Sequence, residues 1–309
     1  MRQRMRMLVA LLAAAAMVLD VSAPAAAADA IESDLAIAVQ GAEKRISLDQ
    51  ALALLNVPSV SVALIDGGRV AFARAYGKDA TPETLYQAAS LSKFVAAIGA
   101  MRLVEQGRLK LDADVNDALT TWHVPSNAFD ETHKVTLRGL LSMTGGIGVP
   151  GFLGYKVGEP IPTLTQVLNG VPPANSAAVT LIEVPGSAYH CSGGGYEIAE
   201  ALIEDSGGKP FAPLMQEFVL GPAGMTRSSF DQPQSRNLEA EAASGHFSDG
   251  QELPGRWRIF PEHAAAGLWS TPTDLAKLLV ALTRAWQGDG SGLLRFKVLN
   301  GCNWPLEHV

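Results

Sequence analysis

The chain has 309 residues, a formal net charge of −7, 48% hydrophobic and 18% charged residues, and two cysteines, Cys191 and Cys302. This composition is typical of a soluble globular protein with a sizeable core. Lysine and arginine are not clustered enough to follow a phosphate backbone, so nucleic acid is not expected as a partner. Two cysteines cannot form a disulfide framework.

Residues 1–28 have the pattern of a secretory signal peptide. Arg2, Arg4 and Arg6 precede an apolar run over residues 7–18, and small residues follow up to Ala28. The apolar run is too short for a stable membrane span. The sequence therefore predicts a mature chain that starts near Asp29, has no membrane span, and is periplasmic or secreted.

The first elements of the mature chain are expected to be a helix and a β-hairpin. The helix is predicted from about Ile31 to Leu55, with an interruption near Gly41. The hairpin is predicted over residues 57–76, where two β-rich runs flank Asp66-Gly67-Gly68. Asp-Gly supplies the positive φ angles that a short hairpin turn requires.

From Ser90 onward the sequence predicts a largely helical block. Thr136 is placed to cap a short helix, and another helix is expected from Tyr196 to Asp205. Thr271-Pro272-Thr273-Asp274 supplies a cap, an N1 proline and an acidic third residue for a last helix, Leu275–Trp286.

Ser90-Leu91-Ser92-Lys93 places a hydroxyl and an amine one helical turn apart. Residues i and i+3 share a helix face, so Ser90 Oγ and Lys93 Nζ are expected within hydrogen-bond reach. A serine attacks a carbonyl only if a base takes its proton, and a desolvated lysine can be neutral enough to do so. The alternative for this tetrapeptide is a serine N-cap followed by a surface lysine.

Six blocks occur in order along the chain: Val60–Tyr76, Gln87–Lys93, Val135–Gly146, Pro185–Tyr196, Pro222–Met225 and Ala266–Leu275. Together they resemble the serine β-lactamase-like superfamily of class C β-lactamases, DD-peptidases and related esterases. The resemblance implies an α+β, β-lactamase/transpeptidase-like fold, with an antiparallel sheet flanked by helices and a largely helical domain. It also implies that Ser90 is the acyl-enzyme nucleophile, that Lys93 activates it, and that the Ser90 N–H is one of two oxyanion-hole donors.

The chain departs from the superfamily pattern at its second motif. Cys191, six residues after Pro185, occupies the position of the tyrosine that completes the proton relay. Such a cysteine is either a shorter ionisable group in the relay or a buried inert thiol. Tyr189 and Tyr196 are alternative sources of a phenol. Met143 stands where relatives often have histidine, which predicts a change in packing.

The C-terminal part also departs from the pattern. No Lys-Thr-Gly or His-x-Gly triplet, the last motif of the superfamily, occurs downstream of Asp274. Residues 295–309 do not resemble the superfamily, so we expect an atypical tail in place of the C-terminal strands and a sheet that is incomplete there. The expected domain is 29–294, between the signal peptide 1–28 and the tail 295–309.

The chain is accordingly predicted to be an exported serine hydrolase that cleaves an amide or ester carbonyl through a Ser90 acyl-enzyme. A β-lactam, a peptidoglycan stem peptide and a small ester all fit as substrates. The alternative is a catalytically impaired or dead, truncated homologue (a pseudoenzyme) that at most binds such ligands. No cofactor or metal is implied, because His123 and His133, with Asp130 and Glu131 between them, match no metal-ligand spacing and are expected on surface loops. The oligomeric state is left open.

Overall fold

The computed structural model describes residues 28–39, 41–233 and 239–288, together with Ala26, Leu293 and Leu294. The predicted tail 295–309 and most of the predicted signal peptide lie outside these residues. Within the described part of the chain, no helix is long and apolar enough to cross a membrane.

The segment before the first sequence block forms a small hairpin. After helix α1 (28–33), β1 (Leu35–Val39) pairs antiparallel with β2 (Ala42–Ile46), and Gly41 turns between them at a φ of 81°. The helix predicted from Ile31 to Leu55 is therefore wrong over these strands. Leu35, Ile37 and Val39 alternate with alanine, which is the two-residue period of a strand.

Only the end of that predicted helix is helical, as α2 (Leu48–Leu54). Ser47 and Gln50 begin it with a capping box, in which each side chain binds the backbone N–H of the other residue.

The main hairpin consists of β3 (Ser59–Asp66) and β4 (Arg69–Gly77), which pair antiparallel. Gly67 and Gly68 form the two-residue turn with φ angles of 54° and 72°, a conformation that favours glycine at both positions. The Tyr76 hydroxyl donates to Glu32 Oε1 at 2.9 Å, which attaches α1 to this hairpin.

The rest of the described chain contains helices and two short strand pairs, which are joined by loops and turns. The helices are α3 (Leu91–Glu105), α4 (Leu137–Leu141), α5 (Leu164–Asn169), α6 (Gly193–Gly207), α7 (Phe211–Met215), α8 (His263–Ala266) and α9 (Pro272–Gln287). The antiparallel strand pairs are β5 (Tyr86–Gln87) with β8 (Trp269–Ser270) and β6 (Tyr155–Lys156) with β7 (Arg258–Ile259). The architecture is α+β, as the sequence predicts.

The main hydrophobic core lies between α3 and α6, and both helices contact α8. Val95, Leu103, Ile198 and Leu202 are at most 1% exposed there. The packing of α3 and α6 against each other and against α8 positions the candidate site.

The last helix covers the main hairpin. Thr271 Oγ1 accepts from the Asp274 N–H at 3.2 Å and Pro272 begins α9, as the sequence predicts. The helix contacts both β3 and β4. Among the described residues these two strands pair only with each other, so both outer edges of the hairpin lack a partner strand there.

Candidate active site

Ser90 lies at the start of α3 in a tightly held turn. Ala89, directly before it, has a φ of 45°, which is uncommon for a residue with a side chain. The buried Ser92 hydroxyl donates to Ala89 O at 2.5 Å and accepts from the Leu268 N–H at 3.0 Å, so it ties this turn to the segment after α8. Strain of this kind persists only where the surroundings enforce it.

The exposed Ser90 side chain does not cap its own helix. Its hydroxyl accepts instead from Lys93 Nζ at 3.1 Å, and its backbone N–H donates to no residue in the described part of the chain. Since the first N–H groups of a helix have no intrahelical partner, the Ser90 N–H is free to bind an oxyanion.

Lys93 is buried, so the alternative of a surface lysine is wrong. The residue is 7% exposed, and its amine donates to Ser90 Oγ and, at 2.9 Å, to Ala265 O of α8. The face of the Tyr196 ring lies 5.9 Å from the amine. Burial lowers the pKa of Lys93, although the nearby Cys191 and Glu197 partly offset this effect. The lowered pKa favours the neutral amine, which is the form that accepts a proton.

Cys191 lies on the loop that ends at α6, and backbone hydrogen bonds of the neighbouring residues hold this loop in place. The His190 N–H donates to Met143 O at 2.8 Å, and the Gly193 N–H donates to Pro150 O at 3.0 Å. Ser192 caps α6 through the Gly195 N–H at 2.8 Å. The thiol is free and exposed, so the alternative of a buried inert thiol is wrong.

The two nearby phenols do not take the place of the missing tyrosine. The Tyr196 hydroxyl is buried and donates to Leu141 O at 3.0 Å, and burial raises its pKa to about 12. Tyr189 is 67% exposed and donates to Met143 Sδ at 3.3 Å. Neither hydroxyl contacts Ser90 or Lys93. Met143, the position where relatives often have histidine, accepts this hydrogen bond at Sδ and packs against the main core.

A buried acidic cluster behind Lys93 was not predicted from the sequence. Glu197 and Glu200 of α6 and Glu262 before α8 are at most 1% exposed. Glu200 Oε1 and His263 Nδ1 lie 2.8 Å apart. Burial alone would lower the pKa of His263, but its pairing with Glu200 raises it overall. Burial, reinforced by Glu200 and Glu262, raises the pKa of Glu197.

The site contains serine, lysine, backbone and carboxyl groups. Within the described ranges, no group of three or more His, Cys, Asp or Glu side chains is arranged to hold a metal ion. His123 and His133 are exposed in the segment before α4, as the sequence predicts. A hydroxyl bound to a desolvated amine, beside a free backbone N–H, can form an acyl-enzyme with a carbonyl compound.

Comparison with known proteins identifies the family. The sequence model of the family described as Beta-lactamase matches residues 48–296. The chain belongs to the beta-lactamase family. Its fold is accordingly β-lactamase/transpeptidase-like, with helices and small antiparallel sheets, and its superfamily is the one that the sequence blocks resemble.

Three proteins with a similar sequence or structure share between 22% and 26% sequence identity with this chain. Protein flp of Staphylococcus aureus is 26% identical over 227 residues, which cover 71% of this chain and 42% of that protein. The octameric penicillin-binding protein homologue from Pyrococcus abyssi is 26% identical with a TM-score of 0.64, over 82% of this chain and 57% of that one. EstCE1, described as a hydrolase with promiscuous acyltransferase activity, is 22% identical with a TM-score of 0.64, over 81% and 73%. The chain thus spans less than half the length of the staphylococcal relative.

Proposed function

We propose that this member of the beta-lactamase family is a serine hydrolase in which Ser90 forms the acyl-enzyme and Lys93 activates it. The observation that carries the proposal is the 3.1 Å contact between Lys93 Nζ and Ser90 Oγ, with the amine buried and its pKa lowered. The neutral amine takes the proton of Ser90 as Oγ bonds to the substrate carbonyl carbon. The Ser90 N–H binds the oxyanion, the C–N or C–O bond to the leaving group breaks, and that group leaves with a proton. Water then hydrolyses the acyl-enzyme.

The proposed substrate is a carbonyl compound. A β-lactam, a peptidoglycan stem peptide and a small ester each contain a carbonyl that Ser90 can attack. Proteins with a similar fold include a penicillin-binding protein homologue and a hydrolase with promiscuous acyltransferase activity, which supports an acyl-transfer reaction and leaves the choice among these substrates to experiment.

Cys191 favours a second candidate function, a catalytically impaired homologue that binds these ligands without turning them over. In the described part of the chain, no tyrosine hydroxyl hydrogen-bonds to Lys93 or Ser90, and the residue at the tyrosine position is a shorter thiol. If the thiol does not pass the proton on to the leaving group, acylation or deacylation stops there.

Hydrolysis of an activated nitrophenyl ester by the purified chain separates the two candidates. We expect turnover that is abolished by Ser90→Ala and reduced about a hundredfold or more by Lys93→Met, which keeps the side-chain length and removes the base. Lys110→Met, at an exposed lysine, is the matched control and leaves the rate unchanged. Binding of a penicillin without any turnover supports the impaired homologue.

We also propose that the chain is exported to the periplasm or secreted, with residues 1–28 removed. The support is the arrangement of arginines, apolar run and small residues in that segment. Expression of the full chain in a Gram-negative host, followed by mass spectrometry of the periplasmic fraction, tests this. A protein that begins near Asp29 supports export, and an uncleaved protein confined to the cytoplasm contradicts it.

A further inference from the structure

Two buried carboxylates lie behind Lys93 and take no part in the step described above. Glu197 and Glu200 are 0% and 1% exposed and lie one turn apart on the same face of α6. A carboxylate costs a great deal of free energy to bury unless it is paired or hydrogen-bonded. Their hydrogen-bond partners therefore indicate what they do.

Both carboxylates accept hydrogen bonds from the first N–H groups of α8. Glu200 Oε2 accepts from the Ala264 N–H at 2.7 Å, and Glu197 Oε1 accepts from the Ala265 N–H at 3.2 Å. The first N–H groups of a helix need partners from outside it, and the residue before α8, Glu262, makes no side-chain cap. Helix α6 therefore supplies the caps that the sequence of α8 lacks.

The same helix α8 carries the carbonyl that holds the amine of Lys93. Ala265 O accepts from Lys93 Nζ at 2.9 Å, and Lys93 Nζ donates to Ser90 Oγ at 3.1 Å. One residue, Ala265, thus joins the buried carboxylate of Glu197 on one side to the reactive pair on the other. A shift of Ala265 moves the acceptor that fixes the amine.

We propose that Glu197 is a positioning residue for Lys93, because it fixes Ala265 so that the Ala265 carbonyl holds the amine against Ser90 Oγ. The proposal rests on the proposed function, since it gives Glu197 a part in the activation of Ser90. Among the described residues Glu197 makes no hydrogen bond to Ser90 or Lys93, and the proposed positioning acts through its bond to the Ala265 N–H. Glu200 supports the same helix from the next turn through Ala264 and His263.

Substitutions at Glu197 separate the hydrogen bond from the charge. Glu197→Gln keeps an oxygen that accepts from Ala265, whereas Glu197→Leu keeps the volume and removes the acceptor. Glu204→Leu is the matched control. Glu204 is also on α6, and its side chain accepts from the backbone N–H of Phe211 at 2.7 Å. Because Phe211 belongs to α7, this substitution removes a similar hydrogen bond without affecting α8.

Two rates are measured on each full-length protein. The first is the second-order rate of Ser90 labelling by a fluorophosphonate, and the second is the rate of Lys93 acetylation by acetic anhydride, located by mass spectrometry. Loss of one hydrogen bond to a carboxyl group changes an equilibrium or a rate by about tenfold. For Glu197→Leu we therefore expect Ser90 labelling to be about tenfold slower and Lys93 acetylation about tenfold faster. Glu197→Gln and Glu204→Leu are expected to stay within about threefold of the parent in both rates, less than the effect of one such bond.

Either of two results overturns the proposal. In a folded Glu197→Leu protein, unchanged Lys93 acetylation shows that Glu197 does not hold the amine. If Glu197→Gln and Glu197→Leu change the two rates equally, the charge of Glu197 acts on the site and its hydrogen-bond acceptor does not. If Glu197→Leu does not fold, Glu197→Asp takes its place, since it withdraws the carboxyl group by one methylene and keeps its chemistry. If the parent chain is not labelled at Ser90, the proposed function fails, and the acetylation rates still decide the role of Glu197.

Discussion

Glu262→Gln is expected to change how the stability of this protein depends on pH. The Glu262 carboxyl is fully buried, and neither of its oxygens accepts a hydrogen bond from another residue that the structure describes. Burial raises its pKa from the ordinary 4.5 to about 7. The folded protein therefore keeps a proton that the unfolded chain loses between these two pH values.

The sign and size of the effect follow from that difference. A raised pKa in the folded state contributes stability that is fully present below pH 4.5 and is lost as the pH rises through about 7. At about 1.4 kcal/mol per pKa unit, the loss is about 3 kcal/mol. Glutamine does not titrate, so relative to the parent the variant gains about 3 kcal/mol between about pH 4.5 and pH 8.

Urea unfolding followed by circular dichroism at the two pH values measures this gain. Titratable groups that do not interact with Glu262 contribute equally to both proteins and cancel in the comparison, whereas Glu197 and His263, whose pKa values Glu262 raises, do not cancel fully. Glu131→Gln, at an exposed carboxylate, is the control and should follow the parent. If the free energies of unfolding of parent and Glu262→Gln change equally with pH, the Glu262 carboxyl is not held protonated and the reasoning fails.

Three further outcomes are expected. Cys191→Tyr raises the rate of ester hydrolysis, because it restores a phenol at the position of the superfamily's tyrosine; an unchanged rate in a folded variant contradicts the alignment of this loop. Ser92→Ala lowers the free energy of unfolding by about 1–3 kcal/mol and slows Ser90 labelling, because the buried Leu268 N–H and Ala89 carbonyl lose their partner; equal labelling rates in the two proteins argue against a role for this turn. The purified mature chain associates with other copies as its concentration rises, because the outer edges of the main hairpin lack partner strands among the described residues; size-exclusion chromatography that shows a monomer at every concentration contradicts this.

Local signals in the sequence were sufficient for the elements that depend on a few neighbouring residues. Gly67 and Gly68 predict the hairpin turn, and Thr136 and Thr271 cap the helices expected after them. The i, i+3 spacing of Ser90 and Lys93 predicts the contact that the structure shows. Each of these features is determined within four residues, so tertiary packing does not override it.

Features that depend on distant parts of the chain were not predictable in the same way. The burial of Lys93 depends on Ala265, which is 172 residues away. The exposure of Cys191 depends on backbone contacts of its loop with Met143 and Pro150. Glu197 and Glu200 could have been noticed as charged residues within an otherwise apolar helix face, but their partners on α8 follow only from the packing of α6 against it.

The helix wrongly predicted over the strands β1 and β2, residues 35–46, shows a different limit. Alanine, leucine and isoleucine are compatible with both a helix and a strand, and the alternation over residues 35–39 is only five residues long. The sequence predicts that Gly41 interrupts a helix, but Gly41 instead forms the turn of a hairpin at positive φ.

The most direct test of the central claim is to locate the covalent adduct. The mature chain is incubated with a fluorophosphonate or a fluorescent penicillin, digested, and mapped by mass spectrometry. The account predicts a single modified serine, Ser90, no adduct in the Ser90→Ala protein, and labelling about a hundredfold slower or more in the Lys93→Met protein. An adduct on Ser92 or on any other serine, or labelling of the Lys93→Met protein at the rate of the parent, would contradict it.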